Sequence, residues 1–544
     1  MKKVFMLLVI FVAVITFNAC NEDSYSDKYA DPSTVSNTSV DKLMTGVFRA
    51  GFDFITPNYW RFFGHDNQGI GALSQNWGMP LSSGLYDGGY PPYRDEGGAW
   101  NIYLSTMIQF KTLDKVYNGL SESEQKGFRP HYLLAKAFML QTMLQGLDEM
   151  GGSTDGKGGV PYSEAGMLPI TGEVIYPGLD AAPELYKMIL DDLGAINKEL
   201  PDVGSVAADK DFINDGDMAK WRKYVNSIRL RAAIRVSTQG DLTAEGERVI
   251  KEILSDPAAY PVVTGADDMI KVVNRGEGDF NWSRMEGIKD GYDNGSWNAC
   301  RTASKPMLDM LGAGTSSPDP RLPLIYDTRK DGVKEYRGVE LAPDKVEGDY
   351  DDFSGSATPP YSWVNHTSFI ENKNIPGYVV SPSEIYFYKA EAIKRGLVAG
   401  DAKSEFVKGI LESVRLYADI NAKSTNSTDN IGLSPKVDMS AWTDEAIEAY
   451  AATKWEDNTD CIYKQLWLHC GIINVVESWN TIRRTGIPKL YYPKVLTSKS
   501  KTVPQRLVIP RGELQYNKTL REAGIDADIS VGYLVVPFWA KKVE

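Results

Sequence analysis

MAKWRKYVNSIRLRAAIRVS, residues 218–237, is the stretch that decides the fold. Trp221, Val225, Ile228, Ala232 and Val236 recur at helical spacing and form one apolar stripe. Asp217 stands before the stripe as an N-cap, and Gly240 lies beyond its end. Arg222, Arg229, Arg231 and Arg235 share this helix. Several of them must turn outward or meet carboxylates, and ion pairs between helices are a simpler reading than a ligand clamp. SPSEIYFYKAEAIKRG, residues 381–396, has a fuller set of helix signals. Ser381 caps it, Pro382 takes the first helical position and Glu384 completes a capping box. Lys394 and Arg395 suit the negative end, Gly396 stops the helix, and Glu391 reads as an internal salt-bridge partner. A third, long helix is expected from about Asp457 to Arg483. Ile462, Leu466, Ile473, Val476, Trp479 and Ile482 mark its buried side, and Gly486 and Pro488 end it.

Further helices are expected near 39–55, 99–118, 131–149, 183–199, 243–254, 401–417 and 443–454. The chain is therefore mainly α, rich in helix pairs but without a fixed repeat period. Between about 56 and 98, and again from 255 to 380, Gly, Pro, Asp and Asn interrupt short β-like runs. The aromatic content of these connections argues against disorder. They are expected to fold back on the helices and make one domain, residues 39–544.

The first twenty residues, MKKVFMLLVIFVAVITFNAC, read as a leader. Lys2 and Lys3 precede an apolar run from Val4 to Ile15 that is short for a bilayer span. Ala19 followed at once by Cys20 suggests a lipoprotein, with residues 1–19 removed and a lipid on the Cys20 thiol, although Phe17 stands where Leu is commonest. An ordinary cleaved signal with an incidental cysteine is the alternative. Residues 20–38 are polar and acidic, a tether rather than a packed element. No later segment is apolar enough to cross a membrane, so the expected attachment is the anchor alone.

The formal charge of −13 over 544 residues argues against nucleic acid, whose phosphates need a basic face. Cys300, Cys461 and Cys470 remain beside Cys20. On one helix Cys461 and Cys470 lie about 13 Å apart, too far for a disulfide. Cys300 could reach one of them, but three buried thiols are the simpler expectation.

Several segments, in order along the chain, resemble the SusD/RagB family of outer-membrane nutrient-binding lipoproteins. They are GGVPYSEA (158–165), the 218–237 helix, SPDPRLPLIY (317–326), the 381–396 helix, KQLWLHCGIINVVESWNTIRRTGIPKL (464–490) and VPQRLVIPRGELQYN (503–517). The sub-branch looks like the SusD-like 2 lipoproteins, and the acidic residues after Cys20 resemble a surface-export signal. The resemblance implies a SusD-like fold: tetratricopeptide-like helix pairs and a loop-rich face carrying short β-hairpins. It also implies an outer-membrane, lipid-anchored, surface-exposed protein. Its partner would be a SusC-like TonB-dependent transporter, and its ligand an oligosaccharide or, in some relatives, a peptide. No cofactor, metal or catalytic residue is implied.

Most matched residues read as structural. Arg483 and Arg484 suit a helix C-terminus and are expected to brace the IPRGE segment, and Asp319-Pro320-Arg321 reads as a turn. Binding is expected on loops that mix rings, for sugar faces, with polar side chains, for hydroxyl edges. The first runs from Trp77 to Trp100 and carries Trp77, Tyr86, Asp87, Tyr90, Tyr93 and Arg94. The second runs from Asn274 to Arg301 and carries Trp282, Arg284, Tyr292, Asn294 and Trp297. A third patch is Tyr361, Ser362 and Trp363 with Asn365 and His366. Trp77, Trp282 and Trp297 rank first as an exposed stacking platform, against the plainer alternative that a loop tryptophan plugs its own loop or meets the transporter.

Rival classes leave weaker traces. There is no HExxH and no GxSxG, and His469 reads as a core histidine. GGSTDGKG, residues 151–158, misses a phosphate loop, because its last position is Gly158 and a helix precedes it. A glycoside hydrolase would need a carboxylate pair, and nothing singles one out. The acidic run at Glu347, Asp349, Asp351 and Asp352 lacks EF-hand spacing and reads as a solvated loop. A protein-interaction scaffold without a small ligand is the remaining alternative.

Overall fold

In the computed structural model of the chain the described residues are 38–58, 61–78, 98–151, 158–273, 302–329, 331–340, 360–370, 372–424, 436–492, 503–507, 509–523 and 535–543. Helices dominate them. The longer ones are α1 (Val40–Ala50), α2 (Gly98–Asn118), α3 (Glu122–Met150), α4 (Ala182–Glu199), α5 (Met218–Val236), α6 (Thr243–Ser255), α7 (Pro382–Lys394), α8 (Ala402–Ala422), α9 (Asp444–Thr453), α10 (Asp460–Cys470) and α11 (Val475–Thr485). Neighbours in sequence pack pairwise: α1 on α2, α2 on α3, α4 on α5, α5 on α6, α7 on α8, α10 on α11. This is the tetratricopeptide-like arrangement that the family resemblance implies.

Four short strands are present: β1 (Ile270–Val272), β2 (Tyr326–Arg329), β3 (Ser362–Val364) and β4 (Gly377–Val380). β1 pairs antiparallel with β4, and β2 with β3. One apolar core fills the α1–α7 layers, and a second lies under the β2–β3 hairpin, α10 and α11.

Local chemistry explains most element ends. Asp217 accepts from the Ala219 and Lys220 amides and starts α5 as expected. Gly486, at φ 75°, turns the chain out of α11. α3 begins earlier than the expected 131, because Ser121 and Glu124 form a reciprocal capping box that carries the helix back across Pro130. The expected long helix from Asp457 is two helices. Asn474 caps α11 through the Glu477 amide. Gly471, just past α10, lies against Asn76: a Cβ there would sit 2.7 Å from the Asn76 side chain. Cys461 and Cys470 sit on α10 as buried free thiols, and Cys300 lies outside the described residues.

The arginines behave as structural groups. Arg231 meets Glu384 at 2.6 Å, and Arg235 meets both Asp148 (3.1 Å) and Glu477 (2.7 Å). Arg229 reaches Glu252, while Arg222 bonds the Ala259 carbonyl instead of a carboxylate. Glu384 therefore makes only half of the expected box: its amide donates to Ser381, but its carboxylate turns inward to Arg231. Arg484 and Glu391 form a two-pronged pair at 2.6 and 2.7 Å. Arg483 donates to the Gln505 carbonyl, bracing the segment just before IPRGE rather than that stretch itself.

Removing one partner of a buried ion pair leaves an uncompensated charge, whereas removing both does not. Arg484→Met is expected to lower unfolding stability by about 3–5 kcal/mol. Arg484→Met combined with Glu391→Leu should recover more than half of that loss, as measured by urea unfolding.

Candidate functional site

The described ends of the candidate loops meet in one place. Trp77 and Gly78 precede the first loop, and Thr302 and Ala303 follow the second. The Gly78 amide donates to the Thr302 carbonyl at 2.8 Å. The Ala303 amide donates to Ser362 O at 2.9 Å, and Ala303 O accepts from Val339 at 2.9 Å. The Ser362 amide donates to Arg337 O at 2.8 Å. Chain segments from four distant parts of the sequence are thus sewn together by backbone hydrogen bonds. Arg337 stands at this junction with its guanidinium 4.6 Å from the centre of the Tyr361 ring.

The junction rests on buried rings, which corrects part of the expected site. Trp77 is only 2% exposed and packs edge-on against Phe62 with ring centres 6.3 Å apart. Gly71 passes so close that a Cβ there would sit 2.3 Å from the indole. Trp363 is also 2% exposed, inside the second core. Asn365 donates to the Pro323 carbonyl and the Asp327 carboxylate, and His366 is buried beside it. Trp77 and the third patch are therefore foundations, not sugar platforms; a flat ring must be exposed to stack on a ligand. Tyr86, Tyr90, Trp282, Arg284, Tyr292, Asn294 and Trp297 lie outside the described residues, as do the 152–157 part of GGSTDGKG and the acidic run at 347–352.

Beside the junction is a polar crevice lined by Arg61, Asp66, Gln141, Gln145, Arg231 and Asn474, among others. Its volume of about 40 Å³ suits water and falls well short of a ligand pocket, which takes roughly 300 Å³ or more. Its wall holds a charged cluster that the sequence reading missed. A π-helical segment, Arg61–Gly71, lies where only loop was expected. From it Arg61 donates to Glu149 at 2.7 Å, and His65 sits between Asp66 (2.7 Å) and Glu149 (3.1 Å). Burial and Arg61 oppose protonation of His65, but Glu149 and Asp66 outweigh them and lift it to about 9. Burial would raise Glu149, yet Arg61 and His65 bring it down to about 2. His469 is the opposite case. It is buried between the Ser381 and Ser413 hydroxyls at 2.7 and 2.9 Å, and burial with Arg321 nearby drives it down to about 3. It is the satisfied core histidine expected.

Among the described residues no group of three or more His, Cys, Asp and Glu could hold a metal ion, and no helix is long and apolar enough to cross a membrane. The geometry defines a class: a helical scaffold on which the stems of long connections are bonded together at one place. The comparisons give that class its family. The chain belongs to the SusD-like 2 family, described as starch-binding and associating with the outer membrane, which matches residues 87–510. No curated protein matches the sequence. Solved structures similar to it include a chitin-binding protein (21% identity, TM-score 0.68, covering 92% of this chain and 99% of that one). A chitin-binding SusD homologue from Flavobacterium johnsoniae is another (18%, 0.63, 91% and 98%). A SusD homologue from Bacteroides fragilis is a third (18%, 0.64, 91% and 98%).

Two predictions follow from the buried groups. Trp77→Ala should cost about 3–5 kcal/mol of stability, as for other buried aromatic truncations, measured by denaturant unfolding. The two histidines act on stability with opposite signs. His65 binds its proton more tightly folded than unfolded, so its contribution is complete below pH 6.5 and fades as pH rises to about 9. That fall amounts to about 3 kcal/mol and should shrink in His65→Gln. His469 binds its proton less tightly folded, so stability also falls as pH drops from 6.5 towards about 3. Unfolding midpoints measured across pH should peak near neutrality.

Proposed function

We propose that this protein is a cell-surface lipoprotein that captures an oligosaccharide without altering it and passes it to a SusC-like TonB-dependent transporter. Residues 1–19 are the leader, Cys20 carries the lipid, 20–38 form the tether and 39–544 form one SusD-like domain. The observation that carries the reading is the junction: the loops richest in rings and hydrogen-bonding side chains spring from backbone segments bonded to one another. Loops rooted together on a rigid base can act on one ligand at low ordering cost. The family description and the chitin-binding structural relatives support a glycan as that ligand.

Trp282 and Trp297 are the stacking rings, with Tyr86, Tyr90 and Tyr292 beside them and Arg284 and Asn294 for hydroxyl edges. Each ring removed from a stacking contact forfeits apolar contact with the C–H face of a sugar. Calorimetry of the mature protein against chito- and malto-oligosaccharides tests this. Binding of at least one series is expected, without turnover, and Trp282→Ala with Trp297→Ala should weaken it about 10-fold or more, equal to at least about 1.4 kcal/mol. Unchanged affinity in that double variant would remove these rings from the site. Failure of both series to bind the parent protein would remove the glycan reading.

A further inference from the structure

The polar crevice lies on the seam between the two apolar cores, and three side chains that line it keep one polar end unpaired among the described residues. Gln141 on α3 is only 5% exposed; its Oε1 accepts from the Tyr224 hydroxyl at 2.7 Å, and its NH2 meets no partner. Gln145, one turn on, donates to Glu149 at 2.9 Å and leaves its carbonyl oxygen over. Asn474 spends its Oδ1 on the Glu477 amide and leaves its NH2 over. Phe54 from the first core, with Phe62 and Ile472 from the second, adds a buried apolar wall. A buried amide end without a partner is costly, so these groups call for something that enters.

Charge and size narrow what that is. Arg61 is already bonded to Glu149, Arg231 to Glu384 and Asp66 to His65. An entering ion would find these charges matched and would still lose its own hydration. The open groups are neutral: two NH2 donors and one carbonyl acceptor. At ~10–15 Å³ for one water, a volume of about 40 Å³ holds about three waters, or one group of about four heavy atoms. An acetamido group has that size, with a C=O for the donors, an N–H for the acceptor and a methyl for the apolar wall. A main-chain peptide bond carries the same polar atoms, but chain continues from both of its ends. A side-chain carboxamide ends in a second NH2, which an apolar wall leaves unpaired. We propose, on the glycan reading above, that the crevice receives the N-acetyl group of an amino sugar, so that the captured oligosaccharide is an N-acetylated one. The place suits a shared ligand: Phe62 in the crevice wall packs on Trp77, and Gly78, next along the chain, enters the loop junction. Rings on the loops take the face of a sugar, while the crevice reads the substituent at its edge.

Calorimetry of the mature protein compares chitotetraose with cellotetraose, which has the same backbone and a hydroxyl in place of each acetamido group. Chitotetraose is expected to bind about 10-fold or more tightly. Gln141→Glu and Asn474→Asp each keep the acceptor that Tyr224 or the Glu477 amide uses and replace the unpaired NH2 by oxygen. Either change should remove most of that preference. Equal affinity for the two sugars, tighter binding of the de-N-acetylated glucosamine tetramer, or a preference intact in both variants overturns the inference and leaves the glycan reading standing. N-methylacetamide, followed by saturation-transfer NMR, probes the crevice with no glycan present. Its methyl signal is expected in the parent protein and should be lost in Gln141→Glu; an absent or unchanged signal overturns the inference. Binding of this probe by a parent protein that binds no oligosaccharide would count against the glycan reading alone.

Discussion

The structure depends on a buried lattice of carboxylates and guanidinium groups where α3, α5, α7 and α11 meet. Glu477 on α11 lies between Arg231 and Arg235, and Asp148 on α3 lies between Arg235, Tyr186 and Asn480. Burial opposes the charge of both acids. The two arginines hold Glu477 below its ordinary value, whereas Asp148, facing the Glu477 charge as well, stays above its own. Arg483 lies 3.5 Å from the centre of the Trp479 ring and 5.0 Å from that of Trp539, trading water for aromatic faces. Burial pushes its guanidinium down to about 9, so it remains charged at neutral pH. Such a lattice adds little net stability over an apolar core of the same volume. Its directional bonds do, however, tie α3, α5, α7 and α11 to one another.

That constraint reaches the loops by a short physical route. Glu149, next to Asp148 on α3, holds Arg61 and His65. These residues fix the segment that ends at Trp77 and Gly78, and Gly78 donates to Thr302 in the junction. From α10, the Trp467 indole donates to the Ser74 carbonyl at 2.9 Å and adds a second tie. Each step exchanges a long-range placement for a few bonds of fixed direction. The connections stand on a base that does not depend on their own side chains, because their stems are held by backbone groups.

Much of this was legible from the chain. Apolar stripes with Asp217, Ser381 and Gly486 at their ends located helices, because caps and periodicity are local properties. The arginines of 218–237 could be read as ion-pair formers, since four cations on one helix cannot all find water. Which carboxylates they meet was not legible: Glu384 satisfies a local rule as a cap residue but is claimed by Arg231 from a distant helix. The break at Gly471–Asn474 was hidden because both halves keep the same apolar stripe, and its one local sign is Asn474, which caps α11. Trp77 misled for a related cause. Its surroundings in sequence look like loop, and only the fold brings Gly71 and Phe62 around it. A ring's composition says that it can stack, while burial decides on what.

A projecting loop shows the converse. MLPITGEVIYP, residues 167–177, is rich in apolar residues, yet it holds only one helical turn, Leu168–Thr171, which Gly172 ends at φ 74°. An apolar run too broken for a long helix or strand has two outcomes, burial as irregular core or display. Irregular backbone in a core leaves its polar groups unpaired, so a loop of this kind belongs at the surface. Display of its side chains is then the expectation, and the acceptors at its neck, Asp180 and Glu164, make it a rigid one. The molecule consequently divides its chemistry by position. Paired charges lie where the helices meet, where direction matters; rings at the loop stems are buried, where they support; and a pinned loop displays apolar side chains outward.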